Sequence, residues 1–260
     1  MIDVHTHLLP GVDDGSPNAE HSAMVIARLR AEGVKGIVCT PHLNASAAGE
    51  APCDDHALLL ADLRSRVPGD LVLYPGFEIM LDSSSFDLSE PRLGLAGSRA
   101  RLVEFTRRGL PDNATELLLR VRSQGCIPVV AHPERYQGCT PEIIADWKEF
   151  GAVIQCDAMA LLGSGHQAEF ARAMLSGGLV DIIASDNHGD RRSQATALRW
   201  LSEFATLGQG ELMTAENPAH LLAGEELVPV PPVTFERSMF DRLRQMIFGS
   251  LRRQPASGPS

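Results

Sequence analysis

The sequence predicts an α/β fold on parallel strands, a closed or nearly closed (β/α) barrel of seven strands. Three observations carry this. Seven short apolar runs alternate with helical patterns along 260 residues. The runs are rich in Val and Ile, as strands buried on both faces are. A chain of this length with 44% hydrophobic residues can bury one large core, and α/β barrels of this size form single domains. An open doubly wound sheet is the alternative with the same alternation.

In chain order the first run is "IDVH" (2–5), followed by a helical pattern near 18–32. "GIVCT" (36–40) is the second run, and "NASAAGEAPC" (44–53) reads as a loop before a helix near 54–66. "LVLYPGFE" (71–78) is the third run, with a second loop, "LDSSSFDLSEPRLGLAGS" (81–98), behind it. "RLVEF" (101–105) precedes the clearest helix, 113–124. There Asn113 is placed to cap and Glu116 stands three residues on. Ala114, Leu117, Leu118 and Val121 keep the i, i+3, i+4, i+7 spacing, and Gly125 ends it. "IPVVAH" (127–132), a helix at 141–149, "AVIQC" (152–156), a helix at 166–176, "VDIIASD" (180–186) and a helix at 191–206 complete the alternation. The barrel is expected over 1–225, with a distinct tail over 226–260. In that tail "VPVPPV" (228–233) reads as a stiff linker. Phe240, Leu243, Ile247 and Leu251 then mark one face of a helix in which Lys and Arg outnumber Asp and Glu by five to two. Such a helix packs on its own barrel or on a neighbouring subunit in a homo-oligomer, or else meets a membrane surface or a partner.

The formal net charge of −10 argues against nucleic acid, whose phosphates need neutralising Lys and Arg. Five cysteines, Cys39, Cys53, Cys126, Cys139 and Cys156, with no C-x-x-C pair, point to free thiols and a reducing cytoplasm. Ile2 already belongs to the first run, so no leader is expected. No stretch reaches the roughly 18 apolar residues of a membrane span.

Chemistry gathers at the strand ends. Residues i and i+2 of a strand share a face, so His5 and His7 can aim two imidazoles at one point. The second run ends at His42, the third at Glu78, and the fourth holds Glu104. The fifth ends at His132, and the seventh delivers Asp186 and His188, again two apart. Parallel barrels build their sites at that rim. With Asp14 the set holds five His and four carboxylates. Carboxylates so packed cannot all stay ionised without cations. Imidazole and carboxylate without thiolate suit Mn, Fe or Zn, and nine ligands imply two or three ions. Such clusters clamp phosphoryl groups and activate water. A thiol-based tyrosine phosphatase needs an Arg six residues past its Cys. The five candidates there are Ala45, Leu59, His132, Ala145 and Leu162.

"DVHTHLLPGVDDG", "TPH", "GFE", "LVEF", "AHPERY" and "ASDNH" together resemble the polymerase and histidinol phosphatase (PHP) superfamily. "H-x-H-x-L-P-G-x-D-D-G" and "A-H-P-E-R-Y" resemble its bacterial manganese-dependent protein-tyrosine phosphatases of capsule and exopolysaccharide loci. The resemblance runs from residue 1 to about residue 225 and does not cover the tail. It implies the PHP fold, a distorted seven-stranded TIM-like barrel with a trinuclear site. One ion would take His5, His7, Glu78 and Asp186. A second would share Glu78 and take Glu104 and His132, and a third would take Asp14, His42 and His188. Arg135 resembles the family's phosphate-binding arginine, with an ion pair to Glu134 or Asp157 as its other role. Arg191 and Arg192 are candidates for a second arginine, at slightly short spacing. Ala160 stands where the family tends to have serine. The implied reaction is hydrolysis of a phosphotyrosine on the tail of a polysaccharide-regulating kinase, with Asp186 or His188 shuttling a proton. The alternatives are a small-molecule phosphatase, such as a histidinol phosphatase, and a phosphoprotein-binding module without turnover. His21, His56, His166 and His220 are read as surface or packing residues.

Overall fold

A computed structural model describes residues 1–106, 109–203 and 207–235. Its strands are β1 (Ile2–Thr6), β2 (Gly36–Cys39), β3 (His42–Asn44), β4 (Val72–Pro75), β5 (Glu78–Met80), β6 (Ala100–Glu104), β7 (Ile127–Ala131), β8 (Val153–Asp157) and β9 (Ile182–Ala184). The helices are α1 (Ala19–Ala31), α2 (Cys53–Arg66), α3 (Ala114–Ser123), α4 (Pro141–Glu149), α5 (Ala158–Leu162), α6 (His166–Ser176), α7 (Gln194–Leu201), α8 (Leu207–Glu211) and α9 (Asn217–Ala223).

All strand pairing is parallel. One sheet runs β1-β2-β4 and the other β3-β5-β6-β7-β8-β9. The second and third expected runs are thus each followed by a further short strand in the other sheet, β3 and β5. Thr40 and Pro41 separate β2 from β3, and Gly76 and Phe77 separate β4 from β5. Pro41 has no N–H to give to a ladder. The chain nonetheless stays tied across the break: Thr40 N–H donates to Thr6 O at 2.7 Å and Glu78 N–H to Pro41 O at 3.1 Å. On the other flank a parallel bridge joins Thr6 to Asn187, beyond the end of β9. Asp186 N–H donates to His5 O at 3.0 Å, and His7 N–H to Asn187 O at 2.8 Å.

Alternate strand positions supply the core. Val4, Val38, Leu102, Val129, Ala131, Ile182 and Ala184 pack together and are essentially inaccessible. Helix starts follow side-chain chemistry: Asn18, Thr140, Asp157 and Ser193 each accept a backbone N–H in the first turn of α1, α4, α5 and α7. The cap expected from Asn113 does not form, and α3 begins without a side-chain acceptor. Ser193 is the reason α7 begins at 194 rather than 191; residues 204–206 lie outside the described residues. The 81–98 segment is no bare loop. It buries Phe86, Leu88, Leu93 and Leu95. The buried Arg101 guanidinium pins it, donating to Leu88 O and Ser98 O at 2.8 Å each and to Glu90 O at 3.0 Å. The basic helix expected at the C-terminus lies outside the described residues. Among the described residues no helix is long and apolar enough to cross a membrane.

Candidate metal centre

The chemistry-bearing residues converge where β1, β6, β7 and β9 end and where the short strands β3 and β5 begin. His5 lies in β1 with His7 just past it, and Asp14 is on the following loop. His42 opens β3, Glu78 opens β5 and Glu104 closes β6; His132 follows β7, and Asp186 and His188 follow β9. His5, His7, Glu78, His132 and Asp186 are at most 1% exposed, too dry for unpaired charge. Asp14 is 71% exposed and His42 40%, so the cluster meets solvent on their side. His132 and Asp186 hold left-handed backbones, φ +33° and +49°, without being glycine. Strain of this kind is tolerated where the surroundings impose it, and it collects at functional sites.

Donor atoms meet in three groups. In the deepest, His5 Nε2 lies 3.2 Å from both Glu78 Oε1 and Asp186 Oδ1 and 3.3 Å from His7 Nε2. His7 Nε2 lies 3.2 Å from Glu78 Oε2 and 3.3 Å from Asp186 Oδ1. A second group joins His42, Glu78 and Glu104, and a third joins His7, Asp14, His42 and His188. His132 Nε2 contacts Glu78 Oε1 at 2.8 Å but lies 3.9 Å from Glu104. The tight group at Glu104 is thus completed by His42, where the family resemblance had implied His132.

The outer face of each deep imidazole fixes its tautomer. Nδ1 of His5 faces Gln155 Oε1 at 3.0 Å, and Nδ1 of His7 faces Asp13 Oδ2 at 2.7 Å. Each Nδ1 therefore carries the proton in the neutral ring, and each Nε2 offers a lone pair inward. Acceptors then face acceptors at 3.2–3.3 Å. Donors sharing a cation at about 2.0–2.3 Å lie about 3–3.5 Å from one another. The residues fit a divalent ion: hard and borderline donors converge, no thiolate joins them, and Asp186 Oδ1 is buried without a hydrogen bond. Asp13 and Gln155 escaped the sequence reading. The "DDG" pair and a lone polar residue inside "AVIQC" were their only signals.

Protein charges alone produce strong shifts. Burial opposes ionisation of Glu78, but His5, His132 and His42 hold its carboxyl well below the usual range. Burial likewise disfavours charged Asp186, and His5, His7 and Arg135 override it downward. Burial works against a protonated His7, yet Asp13, Asp186 and Glu78 raise it well above its ordinary value. Hydrogen bonds from Glu104 and Glu78 push His42 up to about 10.

Two arginines reach Asp186. Arg135 pairs with Asp157 and, at 2.6 Å, with Asp186 Oδ2. Arg192 Nη1 lies 3.2 Å from the same oxygen and its Nε 2.6 Å from Asp190. Arg191 is exposed. Glu134 does not pair with Arg135. It is buried, accepts Asp157 N–H at 2.8 Å, and is pushed up to about 8 by burial and by Asp157. Among the histidines set aside, His21 packs by donating from Nε2 to Gly189 O at 2.6 Å, which steadies the loop after His188.

A family model for capsular polysaccharide synthesis, CpsB/CapC, matches residues 1–223. The chain is 28% identical over 247 residues to the tyrosine-protein phosphatase YwqE of Bacillus subtilis (strain 168), covering 91% of this chain and 97% of that one. It is 28% identical over 201 residues to the tyrosine-protein phosphatase CpsB of Streptococcus pneumoniae, covering 72% and 83% respectively. Among solved structures it is similar, with TM-score 0.72 and 28% identity over 91% of this chain and 100% of that one, to a chain from "Crystal structures of YwqE from Bacillus subtilis and CpsB from Streptococcus pneumoniae, unique metal-dependent tyrosine phosphatases".

Proposed function

The chain belongs to the capsular polysaccharide synthesis CpsB/CapC family, and from that premise we propose that it is a metal-dependent protein-tyrosine phosphatase. One observation carries the reading: buried lone pairs of His5 and His7 converge with Glu78 and Asp186 at 3.2–3.3 Å. Two or three divalent ions would occupy the cluster, manganese first, with iron and zinc accepting the same donors. His5, His7, Glu78 and Asp186 would hold one; Glu78, Glu104, His42 and His132 would share a second; Asp14, His42, His188 and His7 would hold a third. Ions bound there supply Lewis-acid charge and an activated water.

The protein's own groups do the rest. Arg135, held between Asp157 and Asp186, presents a guanidinium to phosphoryl oxygens, and Arg192 offers a second beside it. Asp14 and His188 meet at 3.4 Å on the solvent side of the cluster. A tyrosine phenolate, with a pKa near 10, needs little protonation to leave. His188 Nδ1–H donates to Asp186 O at 3.0 Å, which leaves the Nε2 lone pair on the Asp14 side, as a ligand of the third ion would need. The substrate is a phosphotyrosine on the tail of a capsule or exopolysaccharide tyrosine kinase. The distorted seven-stranded PHP barrel belongs to the same proposal, supported by the Thr6–Asn187 bridge that ties the first strand to the last.

The test is turnover of a phosphotyrosine peptide, histidinol phosphate and p-nitrophenyl phosphate after exhaustive chelation and again with manganese restored. Peptide hydrolysis should vanish and return. Activity that survives complete removal of metal, or a preference for histidinol phosphate, overturns the reading.

A further inference from the structure

Arg192 is the more exposed of the two arginines at Asp186, its side chain 28% exposed against 9% for Arg135. A long side chain so placed loses rotamer freedom on binding an anion, unless the protein has already fixed it. Asp190 fixes it from two residues away. Its Oδ1 accepts Arg192 N–H at 2.9 Å, and its Oδ2 accepts Arg192 Nε–H at 2.6 Å. Arg192 Nη1 then reaches Asp186 Oδ2 at 3.2 Å, and Nη2 has no hydrogen-bond partner among the described residues.

The turn that carries both residues is braced from two sides. Asn187, wholly buried, donates from Nδ2 to Arg192 O at 2.6 Å and to Asp190 O at 3.3 Å. Arg28 comes across from α1, and its Nη2 donates to Asp190 O at 2.8 Å. Glu32 holds that guanidinium in turn at 2.9 Å.

We propose that Asp190 is a positioning residue for the phosphate-binding Arg192, with Arg28 as its brace from α1. The proposal rests on the phosphatase reading for its ligand. Asp190 belongs to none of the three donor groups and acts through Arg192. The sign of its effect is diagnostic. A carboxylate beside an anion site repels the anion, so an Asp190 with no other role should bind phosphate better once neutralised. An Asp190 that aims Arg192 should bind it worse. Asp190→Asn separates the two, because it keeps one oxygen for Arg192 N–H and loses the acceptor for Nε–H.

The measurement is calorimetric titration of inorganic phosphate into the manganese-loaded full chain. Asp190→Asn should weaken phosphate binding by about fivefold and Arg28→Ala by about threefold, and neither should weaken it further once Arg192→Ala is present. Manganese affinity, titrated separately, should stay within about twofold in both variants, well short of the roughly 10–100-fold lost when a ligand's own partner is removed. No phosphate binding by the wild-type chain, tighter binding in Asp190→Asn, equal losses with and without Arg192, or a manganese loss as large as the phosphate loss would each overturn the proposal. Arg28→Ala repeats the cycle from another element, so the proposal stays exposed to test even where Asp190→Asn fails to fold. Phosphate binding with this pattern but without hydrolysis of a phosphotyrosine peptide would sink the phosphatase reading alone. Hydrolysis with additive losses would sink the role of Asp190 alone.

Discussion

Asp13 sits outside the ligand set yet governs His7. Its Oδ2 takes the Nδ1 proton at 2.7 Å, while Oδ1 accepts Gly15 N–H at 3.0 Å. Without that acceptor His7 can turn or switch tautomer, and the inward lone pair is lost. Carboxylate partners of ligating imidazoles are worth roughly 10–100-fold in ion affinity. Asp13→Ala should weaken manganese binding by about that factor, measured by calorimetric titration. The two arginines past His188 separate as sharply. Arg192 reaches Asp186 Oδ2 at 3.2 Å, whereas Arg191 is exposed. Arg192→Ala should raise KM for a phosphotyrosine peptide by roughly tenfold, about 1.4 kcal/mol, while Arg191→Ala leaves it within about twofold. Equal effects from the two would remove Arg192 from the phosphate site.

Elements show what a sequence can and cannot disclose. Val- and Ile-rich runs located seven of the described strands, because burial on both faces demands that composition, but β3 lies past the second run and β5 meets the third only at Glu78. These two breaks were less legible. Pro41 was in view, but Gly76 speaks only in three dimensions, where a Cβ would lie 2.9 Å from Val38 Cγ1 and 3.0 Å from Leu95 Cδ2. The same holds for 86–95, which reads as loop by composition yet fills the core because Arg101 clamps its carbonyls from a strand. The nine expected donors lie in one cluster of side chains, seven of them near or past strand C-termini or on the loop after β1, and two, His42 and Glu78, at the first residue of a short strand. Their outer partners come from chain segments whose approach only packing decides. Gly15 marks the tightest of these. An added Cβ would sit 2.1 Å from His7 O and 2.4 Å from His7 Cβ, so the backbone bearing His7 must move. Overpacking costs about 1–3 kcal/mol, and a chain of this length loses roughly 2–4 °C per kcal/mol. Gly15→Ala should lower the calorimetric midpoint by roughly 3–10 °C and impair ion binding as well.

The whole molecule couples these groups to pH. Two buried acids flanking the donor set, Asp3 before His5 and Glu134 after His132, resist ionisation: burial pushes Asp3 up to about 6, and burial with Asp157 pushes Glu134 up to about 8. A carboxyl raised on folding binds its proton more tightly in the folded chain. Its contribution is full below the unfolded value near 4 and drains away as pH climbs through the folded value. Stability should therefore fall between about pH 4 and about pH 8, with a limiting slope of about 1.4 kcal/mol per pH unit for each acid in its own window. Glu134→Gln keeps the acceptor for Asp157 N–H and removes the titration. Urea midpoints at pH 5, 7 and 9 should decline less steeply in that variant, and identical slopes would exclude Glu134 as their source.

Metal loading carries the opposite sign. Carboxylate neighbours raise His5, His7 and His42, the last to about 10, so in the absence of ions these rings give up their protons at higher pH than a free imidazole does. A cation must displace those protons, and its apparent affinity therefore grows as pH rises. Binding to the folded chain alone adds about 2.7 kcal/mol at a hundred times Kd. At roughly 2–4 °C per kcal/mol that is a midpoint gain of about 5–10 °C. Manganese should produce this gain at pH 8 and distinctly less at pH 6, where protons compete more strongly for the imidazoles. Scanning calorimetry of the chelated and reloaded protein at both pH values measures it. An equal gain at the two pH values would mean that the ions bind elsewhere, on groups already unprotonated at pH 6, and the three converging donor groups would lose their assignment together.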